Sequence, residues 1–128
     1  MNVRLDTQAF LWLDSDRAKL SNPARLVCSD PQTTLWLSVA SAWEMQIKIG
    51  LGKLRLRRPL AELIADQQST NALQILLIQL PHVFELQKLP PHHKDPFDRL
   101  LIAQAKQQGW GVLSNDPEFK AYPLTVVW

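Results

Sequence analysis

Thr33-Thr34-Leu35-Trp36-Leu37-Ser38-Val39-Ala40-Ser41-Ala42-Trp43-Glu44-Met45-Gln46-Ile47-Lys48-Ile49-Gly50 carries two different apolar periods in succession. Thr33 to Ser38 is short and rich in β-branched and aromatic residues, which reads as a strand. Ser41 to Ile49 has helical spacing and is closed by Gly50 and Gly52. The same strand-then-helix order opens the chain: Asn2 to Leu5 is a strand, Asp6-Thr7 ends it, and Thr7 is the expected N-cap of a helix through Leu13. Ser21-Asn22-Pro23 starts another helix that runs to about Cys28 and is broken at Asp30-Pro31. Beyond Gly52 a helix is expected from Pro59 to about Gln68, a strand from Leu73 to Leu77 and a helix from Pro81. A further helix follows from Pro96, then a strand from Gly111 to Ser114 and a last strand from Thr125 to Trp128. Alternation of this kind predicts an α/β fold: a mostly parallel central sheet of about five strands, with helices on both faces.

A chain of 128 residues, 46% hydrophobic and 20% charged, suits one compact domain over 1–128. No apolar run reaches the ~18 residues of a membrane span, and the N-terminus has no signal-peptide pattern, so a cytoplasmic location without membrane contact is expected. Cys28 has no second cysteine to pair with. A formal charge of +2 and a pI near 8.9 permit a nucleic-acid partner without requiring one.

Asp98 is the residue that fits its surroundings least. In a helix begun at Pro96 it shares a line with Ile102 and Ala105, with Leu101 beside it, so a carboxylate points where apolar residues point. Such a group is costly unless something meets its charge. In parallel α/β folds, function gathers at the carboxyl ends of strands, and three more acids are expected at that edge. Asp6 closes the first strand, Glu44 lies early in the helix after the second, and Asp116 follows the strand ending at Ser114. Carboxylates about 4 Å apart repel by roughly 4 kcal/mol per pair at an effective dielectric near 20, so a cluster needs a cation or bound protons. Hard oxygen donors select Mg²⁺ or Mn²⁺, and such a site suits hydrolysis of a phosphodiester by metal-activated water.

Every one of these acids except Asp98 also has a purely structural reading. Asp116-Pro117 and Asp95-Pro96 are N-caps followed by proline, and for Asp95 the cap is preferred. Ser41-x-x-Glu44 matches a capping box, and Glu44 faces Lys48 at i+4. Asp6 serves equally as a turn residue. His92-His93 lacks the i, i+4 spacing of helical zinc ligands and reads as a loop. The basic run Lys53, Arg55, Arg57, Arg58 is a candidate phosphate contact against the alternative of a solvated face. Phe10, Trp12, Trp36 and Trp43 read as core or interface anchors.

Taken together, several segments resemble the PIN-domain ribonucleases, and within them the VapC-type toxins of toxin-antitoxin pairs. They are Leu5-Asp6-Thr7, Ser38 to Glu44, Ile47-Lys48 with Gly52-Lys53-Leu54, Pro91-His92-His93 before Asp95-Pro96-Phe97-Asp98-Arg99-Leu100-Leu101-Ile102-Ala103-Gln104-Ala105, and Asp116 after a strand. The resemblance spans the chain, and its long central motif is the specific part. It implies a single PIN domain of three layers and an endoribonuclease holding Mg²⁺ or Mn²⁺ on Asp6, Glu44, Asp98 and Asp116. Thr7 and Ser114 would be supporting hydroxyls, Ser114 standing where Thr is common, and Asp95 would be a ligand or only a cap. It further implies an RNA substrate, a homodimer, and an antitoxin that occludes the site; Lys48, Lys53, Arg55 and Arg99 are the candidate RNA contacts. The alternatives are a PIN nuclease of RNA processing, a catalytically silent relative, and a receiver-like module phosphorylated on a strand-end Asp. For the last, the paired early acids and late strand-end Lys of that class are not apparent.

Overall fold

The computed structural model describes residues 1–92 and 95–128. Five strands, β1 (Asn2–Leu5), β2 (Thr34–Ser38), β3 (Gln74–Leu76), β4 (Gly111–Leu113) and β5 (Val126–Val127), form one sheet in the order β3-β2-β1-β4-β5. All neighbours are parallel, with Val3 beside Leu35 and Gly111, and Arg4 beside Trp36 and Val112. Among the described residues, six helices cover it: α1 (Thr7–Ser15), α2 (Asn22–Ser29), α3 (Val39–Gly50), α4 (Leu60–Asn71), α5 (Leu80–Glu85) and α6 (Pro96–Gln108).

The layers follow from strand alternation. Val3, Leu5, Leu35, Leu37 and Leu113 point to one face, where Phe10 and Leu13 of α1, Ala24 and Cys28 of α2, and Leu63 of α4 complete a core. Val112 points to the other, into a second core with Leu101, Ile102, Ala103 and Ala105 of α6 and with Phe119 and Tyr122. Both faces being covered, even Arg4 at the middle of β1 is fully buried.

Several local expectations are corrected. Thr7 is not the cap of α1: Asp6 is, its Oδ1 accepting from the Ala9 N–H at 2.7 Å. The Ser41-to-Glu44 capping box does not form, because α3 starts directly from β2 at Val39 with Ser38 as its cap. Proline at position 81 sits inside the first turn of α5, which Gln79 caps reciprocally with His82. The other starts stand as read: Ser21 caps α2 and Asp95 caps α6. Trp36 stacks on Trp110 within the fold, whereas Trp43 is 58% exposed with its edge against Phe97. His93 and its share of the histidine pair lie outside the described residues, while His92 sets its ring against Tyr122.

Candidate active site

The sheet changes direction of growth at β1. From β1 the chain adds β2 and then β3 on one side, and only later places β4 and β5 on the other. α1, which follows β1, packs on the first core and the Pro117–Ala121 turn, which follows β4, puts Phe119 into the second, and a switch of this kind leaves a crevice outside the carboxyl ends of those two strands. Asp6 directly follows β1 and Ser114 directly follows β4. A cleft of about 410 Å³ lies there, lined by Asp6, Thr7, Glu44, Lys48, Asp98 and Asp116 among others.

Each acid is presented by a different element. Asp6 is buried; its Oδ1 caps α1, and its Oδ2 accepts from the Ser114 hydroxyl at 2.5 Å. The same Ser114 oxygen accepts from the Asp116 N–H at 3.0 Å, so one hydroxyl ties the ends of β1 and β4 together. Asp116 caps the short turn Pro117–Ala121 through the Glu118 N–H at 2.9 Å. Glu44, on the second turn of α3, accepts from the Thr7 hydroxyl at 2.6 Å and meets Lys48 Nζ at 3.0 Å. Asp98 stands in the first turn of α6, where helix N-termini favour negative charge, on the line that continues into buried Ile102 and Ala105.

Burial pushes Asp6 up to about 6; the bonds from Ser114 and the Ala9 N–H pull it down, and the charges of Asp116 and Glu44 push it up. The acids thus sense one another across the cleft. A divalent cation fits the donor chemistry, since the described lining residues offer carboxylates and hydroxyls but no thiol or imidazole. Among the described residues, no three of His, Cys, Asp and Glu converge into a ready ligand set. Several carboxylate oxygens are held by the cap, hydroxyl and ammonium partners just described, so loading an ion entails turning some of them toward the cleft.

The remaining candidates separate by position. Asp95 accepts from the Phe97 and Asp98 N–H groups at 2.8 and 3.1 Å and does not line the cleft. Asp95→Asn is expected to keep both this cap and most of any cleavage rate, whereas Asp95→Ala should cost about 1 kcal/mol of stability; thermal melts and an RNA cleavage assay of the two variants check this. Lys48 and Lys53 line the cleft and Arg55 lines the cavity next to it. Arg99 donates to the carbonyls of Pro90 and Leu86 at 3.0 and 3.3 Å and does not reach the lining. Gln8 and Asn115 also line the cleft and were not singled out by the sequence; both are neighbours of named acids or hydroxyls, which is the only signal they carry.

A comparison with curated proteins yields no match. Solved structures do match in fold. A chain of VapBC2 from Rickettsia felis, bound to a promoter DNA fragment, superposes with a TM-score of 0.72 at 16% identity, covering 98% of this chain and 97% of that one. A chain of DNA-bound VapBC from Salmonella typhimurium gives 0.66 at 16% identity, covering 98% and 96%. A chain of a toxin-antitoxin complex from Klebsiella pneumoniae gives 0.61 at 15% identity, again covering 98% and 96%. The PIN domain family model matches residues 3–124, a span that holds β2, β3, β4 and all six helices whole. With the acids of β1, α3, α6 and the β4 end lying inside that match, the chain belongs to the PIN domain family.

Proposed function

We propose that this chain is a metal-dependent endoribonuclease and the toxin of a toxin-antitoxin pair. The observation that carries the reading is the meeting of Asp6, Glu44, Asp98 and Asp116 in one cleft at the switch point of a PIN fold. These four carboxylates would hold Mg²⁺ or Mn²⁺, which when bound supplies Lewis-acid activation of water and offsets charge on the phosphate oxygens. Thr7 and Ser114 orient Glu44 and Asp6 by donating to one oxygen of each. Lys48 balances Glu44 and stands at the cleft to meet a phosphate. The two hydroxyl–carboxylate pairs here, Thr7 with Glu44 and Ser114 with Asp6, are read as orienting the carboxylates, and direct attack by water, without a covalent enzyme intermediate, is the reading. Cleavage of end-labelled RNA should require Mg²⁺ or Mn²⁺, stop in EDTA and stop in Asp98→Asn. An RNA left intact by the metal-loaded wild-type protein sinks the nuclease reading.

The toxin assignment and its partners rest on the likeness to chains solved in VapBC and toxin-antitoxin complexes. Induced expression should arrest growth, with rescue by the product of a short reading frame immediately upstream; growth unaffected by an active nuclease would favour RNA processing instead. For the homodimer, support comes from apolar exposure on the α5 side. Leu77, Leu80, Val83 and Phe84 stand out to solvent there, an arrangement that surfaces of monomers generally avoid. Leu80→Glu with Phe84→Glu is expected to give a monomer by sedimentation equilibrium, with the far-ultraviolet circular dichroism unchanged. No helix among the described residues is long and apolar enough to cross a membrane.

A further inference from the structure

The acid cleft does not end at Trp12. A second cavity of about 500 Å³ shares Gln8, Leu11, Trp12 and Leu54 with it, so the two form one trench along α1. Its other wall is the segment 53–58 between α3 and α4. Exposure alternates there residue by residue: Lys53, Arg55 and Arg57 are exposed, while Leu54 and Leu56 are half-buried and packed on the first core. The segment belongs to no strand and bends at Lys53 and at Arg57-Arg58; between those bends the leucines pin it to the core, which leaves Lys53, Arg55 and Arg57 as a short run of outward cations along the trench.

Charge pairing sorts these cations further. Arg58 is ion-paired with Asp14 and with Asp66. Asp14 also accepts from Gln67, and Asp16 is met by Lys19, so the acids of the second cavity are already answered. Lys53, Arg55 and Arg57 have no ion-pair partner among the described residues. Three uncompensated cations in a row lead out of a cleft built around carboxylates. An acid cleft repels a polyanion until its charge is met, so a row of this kind adds attraction beyond that of Lys48 at the acids.

We infer that Lys53, Arg55 and Arg57 are a phosphate-tracking rail that holds the single-stranded RNA flanking the scissile bond in this trench. The inference rests on the nuclease reading and adds to it the residues that hold the strand away from the acids, which makes the length of RNA reaching past Trp12 matter for binding. A rail that meets only phosphates is tolerant of sequence, so base preference arises elsewhere. It acts on affinity, and the turnover of bound RNA should not depend on it.

The test is binding and cleavage of fluorescein-labelled single-stranded RNAs of two lengths, a 4-mer and a 12-mer, by the full chain. Binding is read by anisotropy in the Asp98→Asn background. Arg55→Ala with Arg57→Ala should weaken the 12-mer at least tenfold across unrelated sequences and leave the 4-mer nearly unchanged. The slope of log K against log salt should fall by about 1.4, roughly 0.7 for each single-strand phosphate that is no longer neutralised. In the otherwise wild-type enzyme the same pair should raise KM for the 12-mer and spare kcat. Arg25→Ala, an exposed cation on α2 outside the trench, controls for bulk charge. Equal affinity of the double variant and its parent for the 12-mer overturns the rail, as does failure of the parent to bind RNA. Loss of binding to hexaglutamate with RNA binding intact assigns the trench to an acidic protein segment and overturns it too. RNA held through the rail but never cleaved with metal would instead remove the nuclease reading and leave the rail standing.

Discussion

Asp6→Asn is expected to lower RNA cleavage on the order of 100- to 1000-fold, the scale of losing one preorganised charge-stabilising group, and at the same time to raise the melting temperature in EDTA. The two effects have one cause. Asp6 is buried and faces Asp116 and Glu44, and its carboxyl is pushed from 3.8 up to about 6. The folded chain therefore holds this proton more tightly than the unfolded chain. Below about pH 4 both states are protonated and no penalty exists. Between about pH 4 and about pH 6 the unfolded chain ionises first, and stability falls by about 3 kcal/mol in all, the full loss being present above that window. Asparagine cannot ionise, keeps an acceptor for the Ala9 N–H, and should recover about 1–3 kcal/mol at neutral pH and nothing at pH 4. Saturating Mg²⁺ should stabilise the wild type and not the variant, closing or reversing the gap, because only the intact acid set binds the ion well. Thermal melts at two pH values with EDTA and with Mg²⁺ decide it. An Asp6→Asn protein less stable than wild type in EDTA at neutral pH would show that the ionised Asp6 carries no net penalty from its burial and its acidic neighbours.

Much of this was legible in the residues because each signal was local. Period-two runs flanked by caps and prolines marked where strands stop, and the acids that follow Leu5 and Leu113 lie at strand ends by simple adjacency. Asp98 was readable because its helix is strongly patterned and one carboxylate breaks the pattern. Strand order was not readable: nothing in the local sequence says that β4 returns to the free side of β1, yet that choice is what opens the crevice and sets Ser114 against Asp6. The missed cap at Asp6 has a similar origin. Asp and Thr are both good caps, and only the three-dimensional position of Glu44, which takes the Thr7 hydroxyl, decides between them. The capping box at Ser41 failed because β2 runs into α3 without a loop, which leaves Ser41 inside the helix and its hydroxyl buried without a partner among the described residues.

Arg4 shows the same limit with a larger energetic consequence. Val3-Arg4-Leu5 reads as a strand with one polar side, but helices cover both faces of this sheet, and Arg4 is fully buried. Its Nη1 donates to the Leu101 carbonyl at 3.0 Å, while Nε and Nη2 have no partner among the described residues. Burial pushes the guanidinium from 12.5 down to about 9, so at neutral pH it stays charged at a cost of about 5 kcal/mol, relieved only as pH rises through 9 toward the unfolded value. Methionine has a similar reach and flexible packing, removes the charge and the unpaired donors, and leaves the Leu101 carbonyl its own helical N–H. Arg4→Met should therefore stabilise the fold by about 1–4 kcal/mol, as replacement of buried ionic groups by apolar ones of similar volume often does. Arg4→Ala sheds the same charge but leaves a cavity, so it should lie about 2–5 kcal/mol below Arg4→Met. Urea melts of wild type and both variants give the order directly. A second readout is His82, whose pKa is lowered by burial and then by the charge of Arg4; in Arg4→Met its titration followed by NMR should move up toward the ordinary value. If Arg4→Met is less stable than wild type while His82 does not move, the guanidinium is compensated within the fold and its burial carries no such cost.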